Sequence, residues 1–330
     1  MKKTIYVFND GEFKRKDNTV YFETKGDKKY LPVEDLKEIY IFGEVTLNKR
    51  FLEFITQKEI ILHFFNNYGY YAGSYYPREH LNSGFMILKQ AEFYLDAERR
   101  IKLAREFVRG AVYNMLAVLR YYQNRGKDLE NVIEHIKELE KSIDRSFTNE
   151  ELMAIEGNIR ETYYEAFNVI IDKPEFTFNG RNRRPPRDRI NALISFGNTI
   201  LYTAVLSEIY KTHLDPRIGY LHTTNFRRFT LNLDVAEVFK PILVDRIIFS
   251  LLGRNMLKAS HFDSKLDSIL LNDNGRKLFL QEWEEKIKTT IKHRELGREV
   301  SYRRLIRLEL YKLEKHLMGE KEYEPFVSRW

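Results

Sequence analysis

The sequence predicts an α+β fold, a small β-rich N-terminal domain followed by a larger all-α C-terminal domain. Two observations predict it. Up to about residue 75, short runs of β-branched and aromatic residues alternate with Asn, Asp and Gly turns. From about residue 85 almost to the end, apolar residues recur at three- and four-residue spacing, the period of an amphipathic helix. We place the β-rich domain at 1–76, a linker at 77–90 and the helical domain at 91–330.

The elements follow in order. Thr4–Phe8, Thr19–Glu23 and Ile39–Phe42 read as strands, with turns at Asn9-Asp10-Gly11 and Lys25-Gly26-Asp27. Leu47–Gln57 reads as one short helix. Ile60–Phe65 is nearly all apolar and is expected to be a strand buried on both faces. The Gly- and Tyr-rich stretch from Gly69 to Pro77 reads as a last strand or hairpin. Helices are expected over Phe85–Arg109 and Ala111–Asn124, then over Leu129–Ile143, whose interspersed Glu and Lys mark an exposed helix. Thr148-Asn149-Glu150-Glu151 offers an N-cap and an acidic first turn. The helix it opens sets Glu156 and Arg160 one turn apart. Asp172–Asp188 is a polar loop containing the run Arg181-Asn182-Arg183-Arg184-Pro185-Pro186-Arg187. Helix resumes over Arg189–His213, and Leu233–Leu252 is a helix bent near Pro241. The tail beyond about 317 is polar and expected to be mobile.

Composition bounds the function. The 330 residues carry 55 Lys and Arg against 48 Asp and Glu, a net charge of +7 that permits a polyanionic partner without requiring one. There is no cysteine, so disulfides and thiolate metal sites are excluded, and any metal must use His, Asp, Glu or water. The N-terminus lacks the apolar core and cleavage site of a signal peptide. No stretch reads as a membrane span, so we expect a cytoplasmic protein with no membrane partner.

Glu156, His222 and Glu237 are the candidate chemistry. They lie in A-I-E-G-N-I-R-E-T-Y-Y (154–164), G-Y-L-H (219–222) and L-D-V-A-E-V-F-K-P (233–241). Two carboxylates and an imidazole make an oxygen–nitrogen donor set suited to Mg²⁺ or Mn²⁺. Gly157 inside a helix suggests close approach by another group. Each residue has a plainer reading: Glu156 a solvated helix glutamate, His222 a satisfied core or surface histidine, Asp234 the N-cap of the helix bearing Glu237. Glu237 lies inside an apolar helix, where a carboxylate needs a cation. The arginines at 181, 183, 184 and 187 are either a phosphate-binding surface or a solvated loop.

Taken in order, these segments resemble the CRISPR-associated integrase family, the metal-dependent subunit of spacer acquisition. The resemblance also includes F-F-N-N-Y-G-Y-Y-A-G-S-Y-Y-P-R (64–78) and R-R-P-P-R-D-R-I-N-A-L-I-S-F-G-N (183–198), and covers essentially the whole chain. It implies that Glu156, His222 and Glu237 are catalytic metal ligands for Mg²⁺ or Mn²⁺. Glu237 stands where Asp is common, Asp234 supports the site, and Asn191 and Ser195 line its surroundings. It also implies a homodimer formed through the β domains, and a small ferredoxin-like second adaptation protein as partner. The DNA partners are a double-stranded spacer precursor and the CRISPR repeat.

The implied reaction is transesterification, in which a fragment's 3′-hydroxyl attacks a phosphodiester at the repeat. With water in place of the hydroxyl, the same site is a nuclease. Arg160, Arg227 and Arg228 are candidates to stabilise charge on the phosphoryl oxygens. Two alternatives stay open: a nuclease that cleaves branched or single-stranded DNA in repair, and a DNA-binding scaffold without chemistry.

Overall fold

The computed structural model describes residues 2–78, 81, 83–182, 185–223, 229–265, 267–293 and 295–328. The chain divides into two compact units, Met1–His80 and Leu81–Trp330.

Among its described residues the first unit holds eight strands and one α-helix: β1 (Lys3–Val7), β2 (Gly11–Lys16), β3 (Thr19–Glu23), β4 (Lys28–Leu31), β5 (Leu36–Ile41), β6 (Val45–Leu47), α1 (Lys49–Gln57), β7 (Ile61–Phe65) and β8 (Tyr71–Tyr75). They form two four-stranded sheets, ordered β1-β5-β7-β8 and β4-β3-β2-β6. In the first, β1, β5 and β7 run parallel and β8 returns antiparallel. Phe13, Val20, Ile39, Phe51, Ile55 and Leu62 bring both sheets and α1 into one buried core. The strand at Ile61–Phe65 is buried along most of its length, as its continuous apolar run predicts. Three strands escape the sequence reading. β2, GEFKRK, and β4, KKYL, are dominated by charge, and β6 is only three residues long.

The second unit is mainly helical. Its helices are α2 (Gly84–Leu95), α3 (Ala97–Gln123), α4 (Glu130–Glu140), α5 (Asn149–Ile171), α6 (Arg189–Ile209), α7 (Leu231–Phe239), α8 (Arg246–Gly253), α9 (Asp273–Lys288) and α10 (Tyr302–Leu317). Four expectations are corrected here. First, the span 77–90 is not linker throughout: Ser83 accepts a hydrogen bond from Met86 N at 3.3 Å and starts α2 at Gly84. Second, the helix break falls at Asp96, not near Gly110, because the Asp96 carboxylate caps Glu98 N and Arg99 N. Third, the unit is not all helix: Phe262–Lys265 (β9) pairs with Ser268–Leu271 (β10), and Thr290–His293 (β11) with Arg298–Ser301 (β12), as two antiparallel hairpins.

Fourth, the tail is packed over Tyr323–Ser328. Tyr323 is buried and gives its hydroxyl to Glu309 at 2.6 Å, Pro325 packs on Gly110, and Phe326 stacks on Phe239 with ring centroids 5.9 Å apart. Buried Asn114 on α3 donates to Val238 O at 2.8 Å and Phe326 O at 2.9 Å, and accepts from Ser328 N at 2.8 Å.

The bend near Pro241 takes a specific form. Proline has no N–H to give the Glu237 carbonyl, and Pro241–Asp245 widens into a π-helical turn in which Asp245 N donates to Lys240 O at 3.1 Å. One helix, Arg189–Ile209, matches a membrane span in length and mean hydropathy. Its apolar window is 78% buried within the protein, so its apolarity serves the core.

Candidate active site

Glu156 and Arg160 come from α5. Thr148 caps this helix through Glu151 N at 3.2 Å, while the Glu151 carboxylate accepts from Thr148 N at 3.3 Å, a reciprocal capping box. This fixed start places Glu156 two turns in, partly exposed, with Arg160 Nε donating to its Oε1 at 3.1 Å. The close approach expected at Gly157 is absent: a Cβ there would meet nothing within 4 Å.

Close approach occurs at Gly219. A Cβ on Gly219 would stand 2.7 Å from the Thr230 carbonyl carbon and 2.8 Å from Asp234 Oδ2. Only glycine lets the loop before His222 lie this near the start of α7. Asp234 is the reason it does so. Its buried carboxylate accepts from Tyr220 N at 2.5 Å, Leu221 N at 3.0 Å and His222 N at 3.0 Å, and contacts His222 Nδ1 at 2.7 Å. Asp234 is therefore not a helix cap; Thr230 holds that position.

An ionised carboxylate can only accept, so Nδ1 of His222 carries a proton, and in the neutral ring Nε2 presents its lone pair. Burial alone would lower the His222 pKa, but the bond and charge of Asp234, helped by Glu237, raise it. The loop is held from three further sides. Asn149 donates to Tyr220 O and to Leu221 O at 2.9 Å, Arg100 Nε donates to Tyr220 O at 3.0 Å, and Gln90 brackets Asp215 and Ile218.

Glu237 is buried one turn beyond Asp234 on α7 and is doubly paired. Arg160 Nη2 donates to its Oε2 at 2.5 Å and Lys240 Nζ to its Oε1. Burial pushes a carboxyl up, but Lys240, Arg160 and His222 outweigh it and hold Glu237 down at about 2. Glu237 therefore stays ionised throughout the physiological range. Arg160, read from sequence as a phosphate contact, is here also the shared counter-ion of Glu156 and Glu237.

Asp245 shows the opposite balance. Its Oδ2 is buried without a hydrogen bond among the described residues, and burial raises its pKa to about 7 against the pull of Arg160 and Lys240. The folded state therefore holds this proton more tightly than the unfolded chain. The stability it contributes is complete below pH 3.8 and is lost as pH rises through about 7. Asp245→Asn cannot ionise and is expected to raise the thermal midpoint at pH 8 while leaving it nearly unchanged at the acid end. An unmoved midpoint at pH 8 would show that the carboxylate is fully compensated.

Asn191 and Ser195, on the first turns of α6, bind the loop that precedes the helix. Asn191 Oδ1 accepts from Arg181 Nη1 at 2.7 Å and Asn182 N at 3.0 Å, and its Nδ2 donates to Gly180 O at 2.8 Å. Ser195 accepts from Arg181 Nη2 at 3.1 Å. Arg181 thus anchors the loop; its charge also lowers the pKa of Tyr164 on α5 against the dominant effect of burial. Arg187 is exposed. Arg183, Arg184, Arg227 and Arg228 lie outside the described residues.

Glu156 and Glu237 are thus joined through Arg160, and His222 lies within electrostatic reach of Glu237. Among the described residues, no three Asp, Glu or His side chains close around one point as ligands of a single ion would. Positive charge at Glu237 is supplied by Arg160 and Lys240. The chemistry of the donor set suits a hard divalent cation: two carboxylates, an imidazole nitrogen set by its Asp234 bond, and no thiolate. Sequence reasoning missed Lys240, Asn149 and Asp245. Lys240 was detectable, three residues after Glu237 and so on the same helix face.

Comparisons with known proteins match the chain along most of its length. The family model described as "CRISPR associated protein Cas1" matches residues 5–285. A protein named CRISPR-associated endonuclease Cas1 2, from Thermodesulfovibrio yellowstonii, is 62% identical over 330 residues, covering all of both chains. The solved structure of a CAS1 protein from Thermotoga maritima superposes with a TM-score of 0.88 at 48% identity, over 98% of this chain and 99% of that one. The fold is also shared, at a TM-score of 0.88 and 19% identity, with a casposase bound to integration product, over 99% of this chain and 94% of that one. With a family match across most of its length and a full-length relative at this identity, the chain belongs to the CRISPR-associated Cas1 family.

Proposed function

We propose that the chain is a metal-dependent DNA integrase and endonuclease of CRISPR adaptation, with Glu156, His222 and Glu237 as the groups that hold Mg²⁺ or Mn²⁺. The observation that carries this reading is the Asp234–His222 bond. A buried carboxylate fixes the imidazole tautomer so that Nε2 is turned to other work, as partners of metal-ligating histidines do. The name of the relative from Thermodesulfovibrio yellowstonii supports nuclease chemistry, and the casposase likeness supports the fold for strand transfer. When bound, a divalent ion supplies polarisation of a phosphoryl oxygen and activation of a hydroxyl.

The chain's own residues do the rest. Lys240 and Arg160 keep Glu237 ionised, Asn149 and Asp234 hold the His222 loop, and Arg160 places a cation where charge develops on phosphorus. In this reading the protein works as a homodimer with a small ferredoxin-like second adaptation protein. It takes a double-stranded spacer precursor and inserts it at the repeat.

The test offers a DNA fragment with a free or a blocked 3′-end to a repeat-containing target, with Mg²⁺, Mn²⁺ or chelator. Joined product is expected only with a free 3′-hydroxyl and a divalent ion. Cleavage of a branched junction that is indifferent to the 3′-end, without any joining, would instead make the protein a repair nuclease. DNA binding without turnover in either metal would leave a scaffold.

A further inference from the structure

The last turn of α3 and the turn after it read Arg120-Tyr121-Tyr122-Gln123-Asn124-Arg125. Together with Val327 and Ser328 they border a groove of about 750 Å³, lined by Arg120, Tyr121, Asn124 and Arg125, with no Asp or Glu among its described lining residues. Arg120 and Arg125 are exposed, and neither forms an ion pair among the described residues. Exposed cations on the same and neighbouring helices are paired: Lys102 with Glu98, Lys137 with Glu134, Lys141 with Glu138.

Behind these arginines lies more positive charge. The Tyr121 ring carries the Arg125 guanidinium at 4.3 Å and that of Arg246 at 4.0 Å. Crowded cations around an aromatic ring, in a groove without carboxylates, form a site complementary to a polyanion.

We propose that this groove binds the phosphate backbone of DNA, one phosphate on Arg120 and a second on Arg125, as a contact separate from the Glu156–His222–Glu237 centre. It rests on the reading that the protein works on DNA. Arg125 lies just past the end of α3 and Arg120 on its last turn, both on the groove. Gly110, which packs against Val238 beside Glu237, lies ten residues earlier on α3. That is about 15 Å along the helix, or some four nucleotides, a distance one DNA molecule can span.

The test measures binding of the full chain to duplex DNA of mixed sequence by fluorescence anisotropy over a salt series from about 50 to 200 mM. Arg120→Ala/Arg125→Ala is expected to make the slope of log affinity against log salt shallower by about 1.8, the loss of two phosphate contacts. Arg120→Lys/Arg125→Lys keeps the charge and is expected to keep the slope. If the arginines serve only the dipole at the end of α3, the alanine variant lowers the thermal midpoint and leaves the slope at the wild-type value, which overturns the proposal. Wild-type protein that binds no DNA would overturn the proposed function as well; wild-type binding with an unchanged variant slope overturns the groove alone.

Discussion

Glu237→Ala is expected to abolish strand transfer and cleavage and also to lower stability by about 3–5 kcal/mol, because it breaks a buried ion network from one side. The carboxylate lies between Arg160 and Lys240, whose side chains are only 11% and 12% exposed. Without it, two cations are left facing each other out of water, with partly exposed Glu156 the remaining anion bonded to Arg160. Denaturant unfolding measures the loss, and the joining assay measures the activity. Adding Lys240→Met to this variant removes one stranded charge and is expected to recover much of the stability and none of the activity. A Glu237→Ala chain with wild-type stability would show that the network is energetically idle. One with wild-type activity would remove Glu237 from the site.

Asp234→Asn should be nearly as damaging although it preserves shape. Two backbone N–H groups, of Tyr220 and Leu221, point at Oδ2; His222 N and its ring nitrogen contact Oδ1. An amide must present an NH₂ to one of these sets, opposing donor to donor. Each buried N–H left without an acceptor costs about 1–3 kcal/mol, so a loss of at least about 2 kcal/mol is expected. His222 then loses the partner that sets its tautomer. A 10–100-fold weaker response to metal follows, the usual consequence of removing such a partner. Thermal melting and a Mn²⁺ titration of cleavage check both effects. An unaltered titration would show that Asp234 only holds the loop.

These two residues show how far the sequence could be read. The α5 start was legible because the T-x-x-E capping pattern is a local hydrogen-bond device that needs no tertiary context. Glu156, His222 and Glu237 stood out through their ordered motifs, but the ion pairs that join Glu156 and Glu237 through Arg160 did not. The role of Asp234 was not legible: three-residue spacing fits a cap as well as a loop anchor, and only the approach of Gly219 decides between them. The pairing of Arg160 with Glu237 was not legible, because the two lie 77 residues apart and only the fold brings them together. The two hairpins of the second unit have four-residue strands, too short for alternation to show. The tail looked mobile because charge dominates it, yet Tyr323, Pro325 and Phe326 suffice to seat it.

The π-helical turn at Pro241–Asp245 has a consequence for chain length. It behaves as a helix with one residue inserted, and each residue of an ordinary helix turns the chain by about 100°. Deleting Pro241 would restore a helical N–H and the ordinary four-residue pairing, and let α7 and α8 run on as a single regular rod. Everything after it would then be out of phase. Arg246 would swing off Tyr121, now 4.0 Å away, and Phe249 off Phe167, now at 4.7 Å. The interval between Glu237 and Arg246 is therefore set to the single residue, and a length error there is one that no side-chain substitution can repair.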